Sequence, residues 1–352
     1  MLIDTPAFIS GLCRSDSRYL TLCNRRERLI GAKDGTGYKC DWQWTSDLHV
    51  TQHFPFFGRK LMQRALREHP IKRFHEPSTN GKPQVTFIIG HRGESRLPHL
   101  LNTVATIAAQ VGVAVECIVV EQDSKSVLSG RLPSWVKFVH SVPPTSDMPY
   151  CRSWAFNVGA GLASAEVLVL HDNDMLIPQD YAKHIHKRVT EGAEVLNLKR
   201  FIFYCTERHT AAIFEKIADL TDIAPETVVQ NLEGGGSVAI TREAFERIGG
   251  MDESFIGWGG EDNEFWERAQ TCRVWPYGYL PLVHLWHPSQ PKKQEVDNPN
   301  LLRSLLLSAI PAGERISRLR RISRGAISGP AGFAAACLDH ASAGHDARQV
   351  VV

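Results

Sequence analysis

Four short apolar runs, each closed by polar residues, limit what this chain can become. Val85-Thr86-Phe87-Ile88-Ile89 ends at Gly90 and is followed by His91-Arg92. Val115 to Val120 closes on Glu121-Gln122-Asp123, Val136 to Val139 is a third run, and Val167 to Leu170 leads into His171-Asp172-Asn173-Asp174. Runs this short and rich in β-branched residues suit strands buried on both faces rather than helices. Between the first two, Leu97, Leu100, Leu101, Val104, Ile107, Ala108 and Val111 share one helical stripe, and Tyr150 to Ala163 reads as a second helix. This alternation predicts an α/β fold with a mostly parallel, doubly wound sheet and helices on both faces. Ligands of such sheets bind beyond the carboxyl ends of the strands, where these polar clusters fall.

The 352 residues carry a net charge of only +2, which excludes a general nucleic-acid binder. No apolar run reaches the length of a membrane span, and the first residues lack a charged-then-apolar signal, so a cytoplasmic protein is expected. Eight cysteines are scattered without paired short spacings and are expected to be free thiols. Cys13, Cys23, Cys40, His49 and His53 match no compact zinc-ligand pattern.

No Gly-x-Gly-x-x-Gly follows the first strand and no Walker-type lysine occurs, so the phosphates of a nucleotide need another partner. Asp172-Asn173-Asp174 offers one. Carboxylates two residues apart point the same way on an extended chain and can share a hard cation that neutralises a diphosphate. The same spacing also occurs in plain surface turns, but here it follows a buried run directly. Gly234-Gly235-Gly236 precedes the strand Ser237 to Ile240, either as a simple turn or as a floor under a ligand. Strand Tyr277 to Leu285 delivers His284 and His287, each a metal ligand or a satisfied core histidine.

The densest signal is Gly257-Trp258-Gly259-Gly260-Glu261-Asp262. A glycine loop enters a helix whose positive end suits acids. Asp262 shares a face with Phe265, Trp266 and Ala269, which aims its carboxylate inward, while Glu264 and Arg268 are expected to pair in solvent. A capping box would explain an acid in the first turn but not the Trp-Gly-Gly before it.

This stretch resembles the Trp-Gly-Gly-Glu-Asp signature of β-1,4-galactosyltransferases and of bacterial galactosamine- and chondroitin-type transferases. The resemblance extends over about residues 84 to 290. Tyr150-Cys151-Arg152 with Asn157-Val158-Gly159 resembles the family's Phe-Asn-Arg…Asn-Val-Gly, and Asp172 to Pro178 resembles its Asp-Val-Asp-Leu-Ile-Pro. It implies a GT-A nucleotide-diphosphosugar transferase fold and a metal-dependent, inverting glycosyltransferase acting on a UDP-sugar. Asp262 is then the catalytic base, with Trp258 and Glu261 at the acceptor. The donor is assigned to Arg92, Glu121, Asp123, Tyr150, Arg152, Asp172, Gly235 and Gly236, with Tyr150 and Arg152 on the uracil side. Glu94 stands where the family has a second arginine. The metal, Mn²⁺ by preference, falls to Asp174 and His287, with His284 in place of a methionine. A retaining UDP-GalNAc-type transferase and an inactive sugar-nucleotide-binding protein are the alternatives.

Three segments are expected: an extension over residues 1–82, the catalytic domain over 83–292, and a helical, basic, partly disordered tail over 293–352. Arg315 to Arg324 beside Ile316, Leu319 and Ile322 suggests a peripheral contact with an anionic membrane, which suits a lipid-linked glycan acceptor.

Overall fold

The computed structural model describes residues 10–13, 19–20, 29–33, 35, 37–40, 45–217, 219–275, 278–289 and 298–330. In chain order a hairpin, β1 (Leu29–Gly31) and β2 (Tyr38–Cys40), precedes β3 (Ser46–Asp47), α1 (His49–His53) and α2 (Pro55–Glu68). The central part runs β4 (Val85–His91), α3 (Leu97–Ala108), β5 (Val115–Glu121), β6 (Lys137–His140), α4 (Arg152–Leu162), β7 (Val167–His171), β8 (Met175–Leu176) and α5 (Tyr181–Thr190). Then come β9 (Val195–Leu196), β10 (Lys199–Tyr204), α6 (Glu207–Phe214), β11 (Thr227–Gln230), β12 (Ser237–Thr241), α7 (Arg242–Arg247) and α8 (Glu261–Ala269). The last elements are β13 (Val274–Trp275), β14 (Leu280–His284), α9 (Pro299–Ser308) and α10 (Ala312–Leu319).

The main sheet has the order β13-β9-β12-β7-β4-β5-β6. β4, β5, β6 and β7 pair in parallel, while β12 runs antiparallel between β7 and β9. Pleating sends alternate side chains to opposite faces. Phe87, Ile89, Cys117, Val119 and Val169 pack with Leu100, Val104 and Ile107 of α3 and Tyr181 and Ile185 of α5. On the other face Ile88, Leu168, Leu170, Val238 and Ile240 meet Phe156 of α4, Phe245 of α7 and Phe265 and Trp266 of α8. Two buried faces explain why these strands read as continuous apolar runs. The α/β fold with helices on both faces is the one the sequence predicts.

A second sheet, β3-β11-β10-β14-β8, is not visible in the sequence pattern. β14 lies parallel to β10 and antiparallel to β8, so the histidine-bearing strand ends beside the Asp172–Asp174 turn. The segment before residue 82 joins this sheet through β3, and Leu61, Met62, Ala65 and Leu66 of α2 enter the same core. Among the described residues Cys13, Cys117, Cys151, Cys205 and Cys272 are free thiols.

The tail folds back on the domain. The Trp154 indole N–H donates to the Ala326 carbonyl at 2.6 Å, and Arg315 lies buried against α8. The expected solvent pair of Glu264 and Arg268 is corrected here. Both are buried, with Arg268 Nε 2.7 Å from Glu264 Oε1 and Nη2 2.6 Å from Oε2, because α10 covers that side of α8. The basic cluster is likewise partly neutralised. Arg315 pairs with Glu264 and Glu267, Arg318 with Glu314 and Arg324 with Glu246, whereas Arg320 and Arg321 are exposed. The Ala-rich stretch after Pro330 lies outside the described residues.

Candidate active site

The carboxyl ends of β4 and β7, the start of β12, the 257–260 loop and α9 enclose a cleft of about 2180 Å³. One wall is the turn after β7. Asp174 is 4% exposed, and its Oδ2 receives the Nε2 atoms of His287 at 3.3 Å and His284 at 3.7 Å. Its Oδ1 is buried with no hydrogen-bond partner. Burial alone would raise this carboxyl, but His284, Arg96 and His287 outweigh it and hold the acid down at about 2. The Tyr204 ring lies 4.5 Å from that of His284 and fixes its plane. Two imidazoles converging on a carboxylate with an unsatisfied oxygen fit a divalent cation.

Arg96 also reaches this wall, donating to Asp174 Oδ2 and, at 3.1 Å, to Asn173 Oδ1. It sits on the 3₁₀ turn Glu94–Arg96, two residues past the position where the sequence comparison left no arginine. Glu94 instead points outward to Arg131. Sequence reading missed Arg96 because a short turn shifts its register by two residues, and only the Arg-x-x-x-Arg spacing from Arg92 hinted at it.

Arg152, at the first turn of α4, stands at the centre. Its Nε lies 2.8 Å from Asp172 Oδ1, its Nη1 pairs with Asp262 Oδ1, and the same Nη1 is 3.6 Å from Glu261 Oε1. The guanidinium also lies over the Phe156 ring at 4.6 Å. The donors of Arg152, to which the resemblance gives a uracil-side role, are taken here by carboxylates in mid-cleft. Tyr150 and Arg92 line the cleft nearby, the latter donating to the Met148 carbonyl at 2.6 Å.

The opposite wall follows from the glycines. Gly260 takes φ +82 as the N-cap of α8, and a Cβ there would stand 2.8 Å from the Asn300 carbonyl oxygen. The turn therefore closes only with glycine and lets α8 present Glu261 and Asp262 at its first turn. At Gly234 a Cβ would meet the Asp262 carbonyl oxygen at 2.5 Å, so the glycine turn before β12 packs directly on α8. Gly235 faces Asp262 Oδ2, and Gly236 accepts from the Asp172 amide at 2.9 Å. Lys199, buried beneath, donates to the carbonyls of Glu233 and Ser237 at 3.0 and 2.7 Å and fastens that turn. Burial lowers its ammonium to about 7 against the pull of Asp262 and Asp172. A lone lysine in an apolar strand gave no sequence signal of this role.

Glu261 is 9% exposed, and its Oε2 has no hydrogen-bond partner. Burial, then the Asp262 charge, push its carboxyl up to about 7 despite Arg152. Burial, Asp174 and Asp262 likewise raise Asp172 to about 6 against Arg152. Trp258 is 38% exposed and lines the cleft, on a loop held by Asn298 Nδ2 at 3.1 Å from the Trp258 carbonyl oxygen.

Glu121 and Asp123 do not join this constellation. Glu121 is fully buried and accepts from Ser126 Oγ and from the amides of Val127 and Leu128, at 2.6, 2.8 and 3.2 Å. Asp123 Oδ1 accepts from its neighbour's amide at Ser124. Neither lines the cleft, and their oxygens hold the loop after β5.

Residues 227–276, from β11 to just past β13, match the family model described as the N-terminal domain of galactosyltransferase. The chain is 29% identical over 137 residues to β-1,4-galactosyltransferase 5 of Sus scrofa and of Homo sapiens, a match covering 37% of this chain and 29% of each relative. It is 28% identical over 134 residues to β-1,4-galactosyltransferase 6 of Rattus norvegicus, covering 36% and 28%. The chain thus spans less than a third of the length of these relatives. Among solved structures it is similar to the catalytic domain of Drosophila β1,4-galactosyltransferase 7 in complex with xylobiose, with 16% identity, coverage of 63% of this chain and 79% of that one, and a TM-score of 0.37. A mutant of that enzyme in complex with manganese, UDP-Gal and xylobiose gives 18%, 55%, 63% and 0.32.

Proposed function

We propose that this chain is a metal-dependent, inverting glycosyltransferase that moves a hexose or N-acetylhexosamine, galactose-type by preference, from a UDP-sugar to a hydroxyl of a glycan acceptor. The observation that carries the reading is Arg152, which holds Asp172 of the metal-side turn and Asp262 of the glycine-loop helix on one guanidinium. The galactosyltransferase match over residues 227–276 supports it, because that stretch contains the glycine turn, Trp258, Glu261 and Asp262.

Asp174, His284 and His287 would hold the cation, with Mn²⁺ favoured by a carboxylate and two imidazoles. Bound there, it supplies positive charge that stabilises a departing diphosphate. The chain's own residues do the rest. Gly234 to Gly236 leave room for the donor sugar, and Trp258 offers a ring face to the acceptor. Asp262 takes the proton from the attacking hydroxyl as the new C1–O bond forms and the bond to UDP breaks. Attack on the face opposite the diphosphate inverts C1. Arg152 steadies Asp262 before substrate arrives through the ion pair between them.

A second reading, in which Glu261 is the base, is favoured by its raised carboxyl and unpartnered Oε2. A lipid-linked acceptor is favoured by α9, where Leu302 and Leu306 line the cleft and are 58% and 63% exposed. Such an acceptor places the protein at the cytoplasmic face of a membrane. The test is UDP release from a panel of UDP-sugars, with and without glycan acceptors, followed by NMR of the product anomer. Release that depends on acceptor and Mn²⁺ with inversion at C1 is expected. GDP-mannose used as well as any UDP-hexose, or retention at C1, overturns the reading.

A further inference from the structure

Among the described residues a second group of metal-ligating side chains stands apart from the cleft: His69, Asp180 and His184. His69 follows the last residue of α2, Asp180 is the N-cap of α5, and His184 lies one turn into α5. Their backbones are fixed independently of the side chains. The His69 amide donates to the Ala65 carbonyl, and the His184 amide donates to the Asp180 carbonyl, both at 3.0 Å.

The side chains converge on one carboxylate. His69 Nδ1 lies 2.8 Å and His184 Nε2 3.2 Å from Asp180 Oδ2, and one ligand atom from each residue lies within 4.8 Å of the others. Asp180 Oδ1 is buried and has no hydrogen-bond partner. Burial works against ionisation here, yet the two imidazoles hold the Asp180 carboxyl well below the usual carboxylate range, so it is an anion at neutral pH. The other nitrogen of His184, Nδ1, is 2.6 Å from the Tyr279 hydroxyl. An outer hydrogen bond of this kind fixes the ring plane and tautomer of a metal-bound histidine. Arg188 Nη2 lies 3.5 Å from the same hydroxyl and orients it in turn.

We propose that His69, Asp180 and His184 form a zinc site that staples the end of α2 to the start of α5. In a tetrahedron with bonds of ~2.0 Å the ligand atoms stand roughly 3.3 Å apart, close to the spacings present. Two imidazoles and one carboxylate, with no substrate diphosphate to add oxygen ligands as proposed for the cleft, suit four-coordinate zinc better than manganese, magnesium or calcium. The three side chains are between 15% and 22% exposed, so solvent reaches the fourth position. The site differs from the Asp174 group in place and role. Tyr279 directly precedes β14, whereas His284 ends it, so the two groups lie at opposite ends of one strand. His69, Asp180 and His184 do not line the cleft, and the role of the site is to fix the packing of residues 55–69 against the main domain.

The test uses the full chain, stripped with EDTA and titrated with zinc by calorimetry, with bound zinc counted by mass spectrometry. His287→Ala, which disables the cleft group, should still bind one equivalent and show a zinc-dependent rise in Tm. His69→Gln/His184→Gln should lose that equivalent and that rise while keeping Mn²⁺-dependent UDP release. Tyr279→Phe should weaken zinc binding ~10–100-fold. Zinc-edge X-ray absorption of the His287→Ala protein should show nitrogen and oxygen neighbours with imidazole scattering, a readout independent of whether the double variant folds. Zinc stoichiometry unchanged in the double variant, or sulfur scattering at the bound zinc, overturns the proposal.

Discussion

Arg152 Nη1 pairs with Asp262 Oδ1 across the cleft, joining the first turn of one helix to the first turn of another. The proton acceptor proposed above is thereby aimed by an ion pair before any substrate is present. Asp262→Asn keeps the shape and most hydrogen bonds but cannot take a proton. Turnover should fall ~10²–10⁴-fold, about 3–5 kcal/mol of barrier, with UDP-sugar and Mn²⁺ affinity nearly unchanged by calorimetry. If Glu261→Gln instead gives the larger loss in kcat, Glu261 is the base.

Glu261 also sets a pH dependence of stability. Its folded-state carboxyl is raised from 4.5 to about 7, so between those values the folded protein binds more protons than the unfolded chain. Its contribution therefore weakens the fold progressively as pH rises through that window and is constant above it. Glu261→Gln should gain Tm relative to the parent between about pH 4.5 and 7, with the difference level at pH 8. A difference that shrinks with rising pH contradicts the assignment.

Metal binding at the proposed site should divide unequally between the two histidines. His287 Nε2 is nearer Asp174 Oδ2 than His284 Nε2 is, 3.3 against 3.7 Å. His287→Ala should abolish Mn²⁺-dependent turnover, and His284→Ala should lower it less and weaken Mn²⁺ binding in a calorimetric titration. Full activity in EDTA, with no metal retained, rules the metal out.

The strands, the Asp172–Asp174 turn and the inward aim of Asp262 were legible because each rests on local periodicity: apolar runs of strand length, and i, i+3, i+4 spacing on α8. What escaped was set by distant segments. Glu264 and Arg268 look like a solvent pair until α10, some 50 residues on, covers them with Arg315. Glu121 looks like a ligand at a strand end, yet the loop six residues ahead turns back and consumes its oxygens. The His69 group joins residues 111 apart in sequence, and no local pattern encodes it.

Arg315→Ala should cost ~2–3 kcal/mol of stability by denaturant titration, since it removes one charged hydrogen bond to the buried Glu264 and another to Glu267. Because α8 also bears Asp262, the same variant should lose turnover, and Arg320→Ala, on the exposed side, should change neither.

The proposed lipid-linked acceptor is tested on the apolar face of α9. Leu302→Asp/Leu306→Asp should raise KM for an alkyl glycoside at least several-fold and leave KM for the free sugar and for UDP-sugar unchanged. Equal effects on both acceptors, or none, would count against a lipid-linked substrate.

The reversal of β12 between β7 and β9 has a consequence for engineering. Arg92, Arg152, Asp172 and Asp174 all arrive before it, whereas Gly234 to Gly236 and the stretch through Trp258 to Asp262 occupy one uninterrupted piece of chain around and after it. If the proposed acceptor role of Trp258 and Glu261 holds, acceptor preference should move with residues 227–276 as one cassette. Such a graft must bring its own lining: Asn298 and Asn300 pin the Trp258 loop, and Arg315 neutralises the helix behind it. A chimera that exchanges the cassette alone leaves Glu264 with Arg268 but without Arg315, while one that carries residues 298–324 with it keeps both partners.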